Sequence, residues 1–101
     1  MKESVIKKQI IEYLRKRGHF VWMNRNVGVF NAAYGKYIPA GVKGIPDILG
    51  LKKGGQFIGV EVKTKKNKPS IYQEEFLKNI NKFGGIGIVA YSAEDCQNAG
   101  L

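Results

Sequence analysis

The apolar positions of this chain change period several times, and each change marks an element. Ile6, Ile10 and Leu14 recur at helical spacing between Glu3 and Arg17, which predicts an amphipathic helix closed by Gly18. Phe20 to Met23 reads as a strand, followed by an irregular or short-strand stretch to Tyr37. Two β-type runs come next, Ile45-Pro46-Asp47-Ile48-Leu49 and Phe57-Ile58-Gly59-Val60-Glu61-Val62-Lys63, joined by the hairpin signal Lys52-Lys53-Gly54-Gly55-Gln56. After Pro69, Ile71, Phe76, Leu77, Ile80 and Phe83 form the apolar stripe of a second helix that Gly84-Gly85 end. Ile86 to Tyr91 is nearly all apolar and is expected to be a buried strand, and Ser92 to Asp95 opens a final helix. The order αβββαβα, with a helix crossing between the Glu61 strand and the last strand, implies an α/β fold in which a mixed central sheet is flanked by helices on both sides. Residues 1–101 suffice for a single domain with a modest core.

The breaks in this pattern carry the candidate chemistry. Asp47, Glu61 and Lys63 stand in runs that otherwise read as buried strands, and an ionised group in apolar surroundings needs a cation or hydrogen bonds to compensate it. Side chains alternate along a strand, so Ile58, Val60 and Val62 share one face while Glu61 and Lys63 share the other, roughly 7 Å apart. The loop length then decides where Asp47 points. A two-residue loop, Gly54-Gly55, sets it opposite Val62; a three-residue loop, Lys53 to Gly55, sets it opposite Glu61, and the second is the expected register. Two carboxylates at cross-strand distance repel unless a divalent cation or a shared proton lies between them. Magnesium takes hard oxygen ligands, and Asp47, Glu61 and the backbone carbonyl of Val62 are enough to hold it. Lys63 would then orient a water or stabilise charge growing on phosphorus, which suits hydrolysis of a phosphodiester. The plain alternative is a surface hairpin with cross-strand ion pairs.

Two further polar residues have competing readings. At 100° per residue Glu3 falls on the face of Ile6, Ile10 and Leu14, which is unusual for an acid. It would equally serve as the acidic start of a helix, with Ser4 as a possible N-cap. Glu12, beside Val5 at the edge of the same arc, is the competing acid. Ser70-Ile71-Tyr72-Gln73 reads as a capping box, which explains Ser70 and Gln73 without any active site.

Charge narrows the choice of partners. Lys and Arg number 17 against 8 Asp and Glu, a net charge of +9, and such a chain attracts polyanions. The clusters Arg15-Lys16-Arg17, Lys52-Lys53 and Lys63 to Lys68 flank or adjoin the acidic positions, where they would track phosphates. One cysteine, Cys96, and one histidine, His19, exclude an internal disulfide and argue against a zinc site, and both are expected to be structural. No run approaches the roughly 18 apolar residues of a membrane span and no signal peptide is evident, so a cytoplasmic protein without membrane contact is expected.

Taken in order, Gly41 to Gly50 with Pro46-Asp47, the hairpin into Gly59-Val60-Glu61-Val62-Lys63, Ser70 with Gln73 and Phe76, and Gly84-Gly85 before the last strand resemble the VRR-NUC (virus-type replication-repair nuclease) branch of the PD-(D/E)xK nucleases. The resemblance implies a restriction-endonuclease-like sheet, a Mg²⁺- or Mn²⁺-dependent endonuclease, and branched DNA, a Holliday junction or flap, as substrate. It makes Asp47 and Glu61 metal ligands, matches Glu3 to the first-helix acid of the family, and gives Lys63 and, from the next helix, Gln73 catalytic roles. Where relatives often carry an arginine after the first strand this chain has Met23, with Arg25 two residues on, and Asn24, Asn26 and Gly28 resemble the polar stretch that follows. Arg25, Lys43, Lys65 and Lys66 are the expected DNA contacts. A homodimer with two sites for paired cuts, in the cytoplasm of a bacterium or phage-infected cell, completes the expectation. The aromatic stretch Val29 to Tyr37 would supply a dimer surface or wedge, or simply core and loop. The alternatives are a DNA-binding accessory module whose catalysis has decayed and a basic structural protein of a ribonucleoprotein.

Overall fold

The computed structural model of the protein describes residues 1–25, 29–33, 35–38 and 41–101, without the side chains of 29–31, 37 and 38. The first amphipathic stretch forms α1 (Glu3–Lys16), whose buried side are Ile6, Ile10, Ile11 and Leu14. Its N-cap is Lys2, with no side-chain hydrogen bond, so Ser4 is a first-turn residue and not the cap. Glu3 opens the helix at its positive dipole end. The chain leaves α1 through Gly18 at φ 89° and enters β1 (Phe20–Met23).

Short strands β2 (Val29–Asn31) and β3 (Lys36–Ile38) pair with each other as a two-stranded sheet of their own. The stretch read as irregular or short-strand is thus a hairpin apart from the main sheet, while Asn26, Gly28 and Tyr34 lie outside the described residues. The central sheet continues with β4 (Ile48–Leu51) and β5 (Phe57–Val62), then α2 (Ile71–Lys82), β6 (Ile86–Ala90) and α3 (Ala93–Asn98). Its order is β1-β4-β5-β6, with the first two pairs antiparallel and β5 parallel to β6, so the sheet is mixed. A parallel neighbour requires a crossover, and α2 supplies it.

Alternation along β5 divides the packing. Ile58, Val60 and Val62 join Ile6, Ile10 and Leu14 of α1 with Val21, Ile48, Cys96 and Leu101 in one apolar cluster. On the opposite face α2 lies close over glycines: a Cβ at Gly59 would meet Ile80 Cδ1 at 2.4 Å, and one at Gly87 would meet the Leu77 carbonyl oxygen at 2.8 Å. Helices therefore cover both faces, and the α2 face is built on missing side chains. Leu77 and Ile80 are the buried part of α2, whereas Ile71 and Phe83, expected in its apolar stripe, are exposed because the middle of the helix makes the sheet contact. The last strand departs from expectation as well: Ile86, Ile88 and Val89 are only half-buried, since among the described residues β6 lies at the sheet edge and pairs with β5 alone.

The minor residues fall into structural places. Cys96 is a buried core thiol, pushed up to about 11 by burial and by the nearby charge of Asp95, and is therefore unreactive. His19 Nε2 and Arg17 Nε reach the Leu101 carbonyl oxygen at 2.9 and 3.1 Å, fastening the end of α1 to the buried Leu101. No helix among the described residues is long and apolar enough to cross a membrane.

The loop into β4 is pinned by Gly44. Its φ is +81°, and a Cβ there would sit 2.3 Å from the Tyr72 carbonyl oxygen and 2.8 Å from the Gln73 nitrogen in the first turn of α2. Backbone cannot yield as a flexible side chain does. Gly44→Ala should therefore destabilise the fold by about 2 kcal/mol or more, read as a lower midpoint in urea. An unchanged midpoint would mean that the loop is not held against α2.

Candidate functional site

The hairpin register decides the site. Ile48 pairs with Val60, Leu49 with Gly59, Gly50 with Ile58 and Leu51 with Phe57. The turn closes through Lys52 N–H to the Gln56 carbonyl at 2.8 Å and Gly55 N–H to the Lys52 carbonyl at 2.9 Å. The loop is thus the three residues Lys53 to Gly55, as expected, and one step beyond β4 the same register sets Asp47 against Glu61.

Asp47 is held from several directions. Its Oδ2 accepts the Val62 N–H at 2.8 Å, its backbone carbonyl accepts the Asn24 N–H at 2.7 Å, and Lys7 Nζ lies 3.2 Å from Oδ1. Val62, expected to contribute its carbonyl oxygen, touches the site here through its N–H. Glu61 is 2% exposed, with Lys63 Nζ 3.4 Å from its Oε2. The first residue of α1 completes the group: one carboxylate oxygen from each of Glu3, Asp47 and Glu61 lies within 4.8 Å of the others. Glu12 is exposed, away from these acids.

This grouping is electrostatically unfinished. Among the described residues the buried Glu61 Oε1 has no hydrogen-bond partner. Burial chiefly, then the charge of Asp47 and a hydrogen bond with it, raise the Glu61 carboxyl from 4.5 to about 7, while Lys63 pulls the other way. Lys63 compensates one oxygen of this buried carboxylate, and the other favours a proton or a further cation, because burying a charge with incomplete compensation is costly.

Among the described residues none of the other expected residues makes a hydrogen bond or ion pair with these acids. Gln73 forms the capping box: its Oε1 accepts the Ser70 N–H at 2.8 Å and its own N–H reaches Ser70 Oγ at 3.2 Å. Among the described residues no hydrogen bond joins Gln73 to Asp47, Glu61 or Lys63. Lys43 Nζ sits over the Tyr72 ring, 4.9 Å from its centroid, at the start of α2. Arg25 is exposed just beyond β1. Lys65 and Lys66 line a cleft of about 520 Å³ with Met1, Gln9, Thr64 and Tyr91.

Lys7 was not anticipated as a site residue. The signal was present, since Lys7 follows Glu3 by four residues and so stands one turn along the same helix face. No family model, curated protein or solved structure matches the chain.

Chemically, three carboxylates with two lysines in contact offer hard oxygen ligands and mobile positive charge in one place. The buried Oε1 sets this group apart from a simple surface ion-pair cluster, in which each oxygen would face water, and the three carboxylates could hold a metal ion.

Proposed function

We propose that the chain is a metal-dependent endodeoxyribonuclease of the VRR-NUC type, with a restriction-endonuclease-like arrangement of its mixed sheet, acting on branched DNA such as a Holliday junction or flap. The buried, unpartnered Glu61 Oε1, grouped with Glu3 and Asp47, supports this reading most directly. Glu3, Asp47, Glu61 and the Val62 carbonyl oxygen would hold Mg²⁺ or Mn²⁺. Such an ion, when bound, polarises a phosphate and lowers the pKa of a bound water.

The remaining roles belong to the chain itself. Asp47 is held in place by the Val62 N–H on Oδ2 and by Lys7 on Oδ1. Lys63, beside Glu61, supplies a compact positive charge for the phosphate oxygen that gains charge during hydrolysis. Gln73 at the cap of α2 is retained as an auxiliary member, and Arg25, Lys43, Lys65 and Lys66 supply phosphate contacts. Two copies of the chain would bring two sites to the paired strands of a junction, in the cytoplasm of a bacterium or phage-infected cell.

The test is cleavage of labelled four-way junction, flap and linear duplex DNA in Mg²⁺, Mn²⁺ or EDTA. Cutting that requires metal and favours the branched substrates is the expected result. Binding without cutting in either metal would instead make the chain a DNA-binding accessory module. Lys63→Ala should keep DNA affinity while cleavage falls by about 10²-fold, in the range for loss of one positioned charge or proton-transfer group. Wild-type cutting by that variant would remove Lys63 from the chemistry.

A further inference from the structure

The sheet face that carries Glu61 is not fully covered. Cross-strand partners share a face, so the pairs Trp22 with Leu49 and Leu49 with Gly59 put Trp22 on the face of Gly59, and by alternation on that of Glu61. Phe20, opposite Leu51, lies on the same face. The helix α2 covers β5 and β6 there but not β1, whose two aromatic rings are open: Phe20 is 68% exposed and Trp22 39%. Their centroids are 5.4 Å apart with the planes tilted by 54°, so they form one small aromatic surface. Neither ring fills the core, which β1 supplies through Val21.

The position of this surface matters. The ladder of β1 with β4 continues one step past Met23 through the hydrogen bond from Asn24 N–H to the Asp47 carbonyl. Strand spacings then place the Trp22 backbone about 8 Å from that of Asp47, a span of two or three stacked nucleotides.

Charge selects the occupant. The chain carries 17 Lys and Arg against 8 Asp and Glu, a net charge of +9. A second copy would bring like charge to like charge, whereas a nucleic-acid strand brings phosphates to the lysines and bases to the rings. Every base has a π-face, and stacking on aromatic side chains is the common device for gripping unpaired strands.

We propose, resting on the nuclease reading for the identity of the strand, that Phe20 and Trp22 form a stacking platform for unpaired bases of a DNA strand beside the Asp47–Glu61 site. A paired duplex hides its base faces, so the platform prefers the single-stranded arm or opened branch point of a branched substrate. It thereby gives the site a means of recognising shape without reading sequence.

Trp22 is the single tryptophan of the chain and reports on its own occupancy. In EDTA, where no cutting interferes, titration with a fluorescein-free oligothymidylate should quench Trp22 emission strongly at saturation, and blunt duplex should quench it far less. By anisotropy of a labelled oligothymidylate, Trp22→Ala and Phe20→Ala should each bind about 5- to 150-fold more weakly, with blunt-duplex affinity nearly unchanged. Both rings are exposed, and circular dichroism of each variant checks that the fold is kept. Unchanged emission at saturating oligothymidylate would overturn the platform, as would equal losses for duplex and single strand. Concentration-dependent shielding of Trp22 without DNA, together with a doubled mass by light scattering, would give the face to a second copy and overturn it too. Quenching by a protein that never cuts in Mg²⁺ or Mn²⁺ would sink the nuclease reading alone, and metal-dependent cutting with unperturbed Trp22 would sink the platform alone.

Discussion

Asp47→Asn is expected to reduce metal-dependent DNA cleavage by about 10³-fold while leaving the fold and DNA affinity nearly intact. The substitution keeps an oxygen that can accept the Val62 N–H, so the hairpin end stays tied, but it removes the negative charge next to Glu61. It also releases Lys7 from its ion pair. That pair is partly exposed, so its loss should cost little stability. Neutralising an acid inside a strongly basic protein should, if anything, tighten binding to DNA. Single-turnover cleavage in Mn²⁺ and Mg²⁺, with affinity measured in EDTA, separates the two effects. Full cutting by Asp47→Asn would exclude Asp47 from the proposed chemistry.

The largest stability effect should come from Glu61 and should depend on pH. Its carboxyl is raised from 4.5 to about 7, so between these values the folded state holds more protons at this position than the unfolded chain does. Stability therefore falls as pH rises through that window. Below about 4.5 both states are protonated and the penalty vanishes; above about 7 it is complete, at roughly 3 kcal/mol. Without metal the melting temperature should drop by on the order of 10 °C between pH 5 and pH 8. Glu61→Gln, which mimics the protonated form, should flatten this dependence. Mn²⁺ at pH 8 should restore stability to the wild type and not to the variant. Parallel pH profiles for the two proteins, measured by thermal denaturation, would mean that Glu61 is not strained by its surroundings.

Much of this site was legible because it depends on local rules. Alternation narrows Asp47 to two registers and the expected three-residue turn is the one that forms, while helical periodicity puts Glu3 on the face of Ile6 and Ile10. The capping box of Ser70 and Gln73 is likewise a matter of a few neighbouring residues. What escaped depends on how elements meet. The contact of Lys7 with Asp47 needs the angle at which α1 crosses the sheet, which periodicity does not contain. The half-exposure of β6 follows from its place at the edge, and an apolar run does not distinguish an edge strand from an interior one. The sequence reads Phe20 to Met23 as a strand without saying which of its faces is covered. Phe20 and Trp22 are exposed because α2 spans β5 and β6 and stops short of β1.

The three-residue turn from Lys53 to Gly55 makes the hairpin a counting device. Distances in a protein can drift by fractions of an ångström and still work, but facing in a strand is a matter of odd and even. Losing one residue from this turn would carry Glu61 to the wrong side of the sheet, with its charge thrust among Ile10 and Leu14 and an isoleucine or valine left beside Asp47. Losing or gaining two would keep the side and move Glu61 roughly 7 Å along it. Any change in the length of this turn should therefore be compensated elsewhere in the two strands, since parity cannot be corrected by repacking.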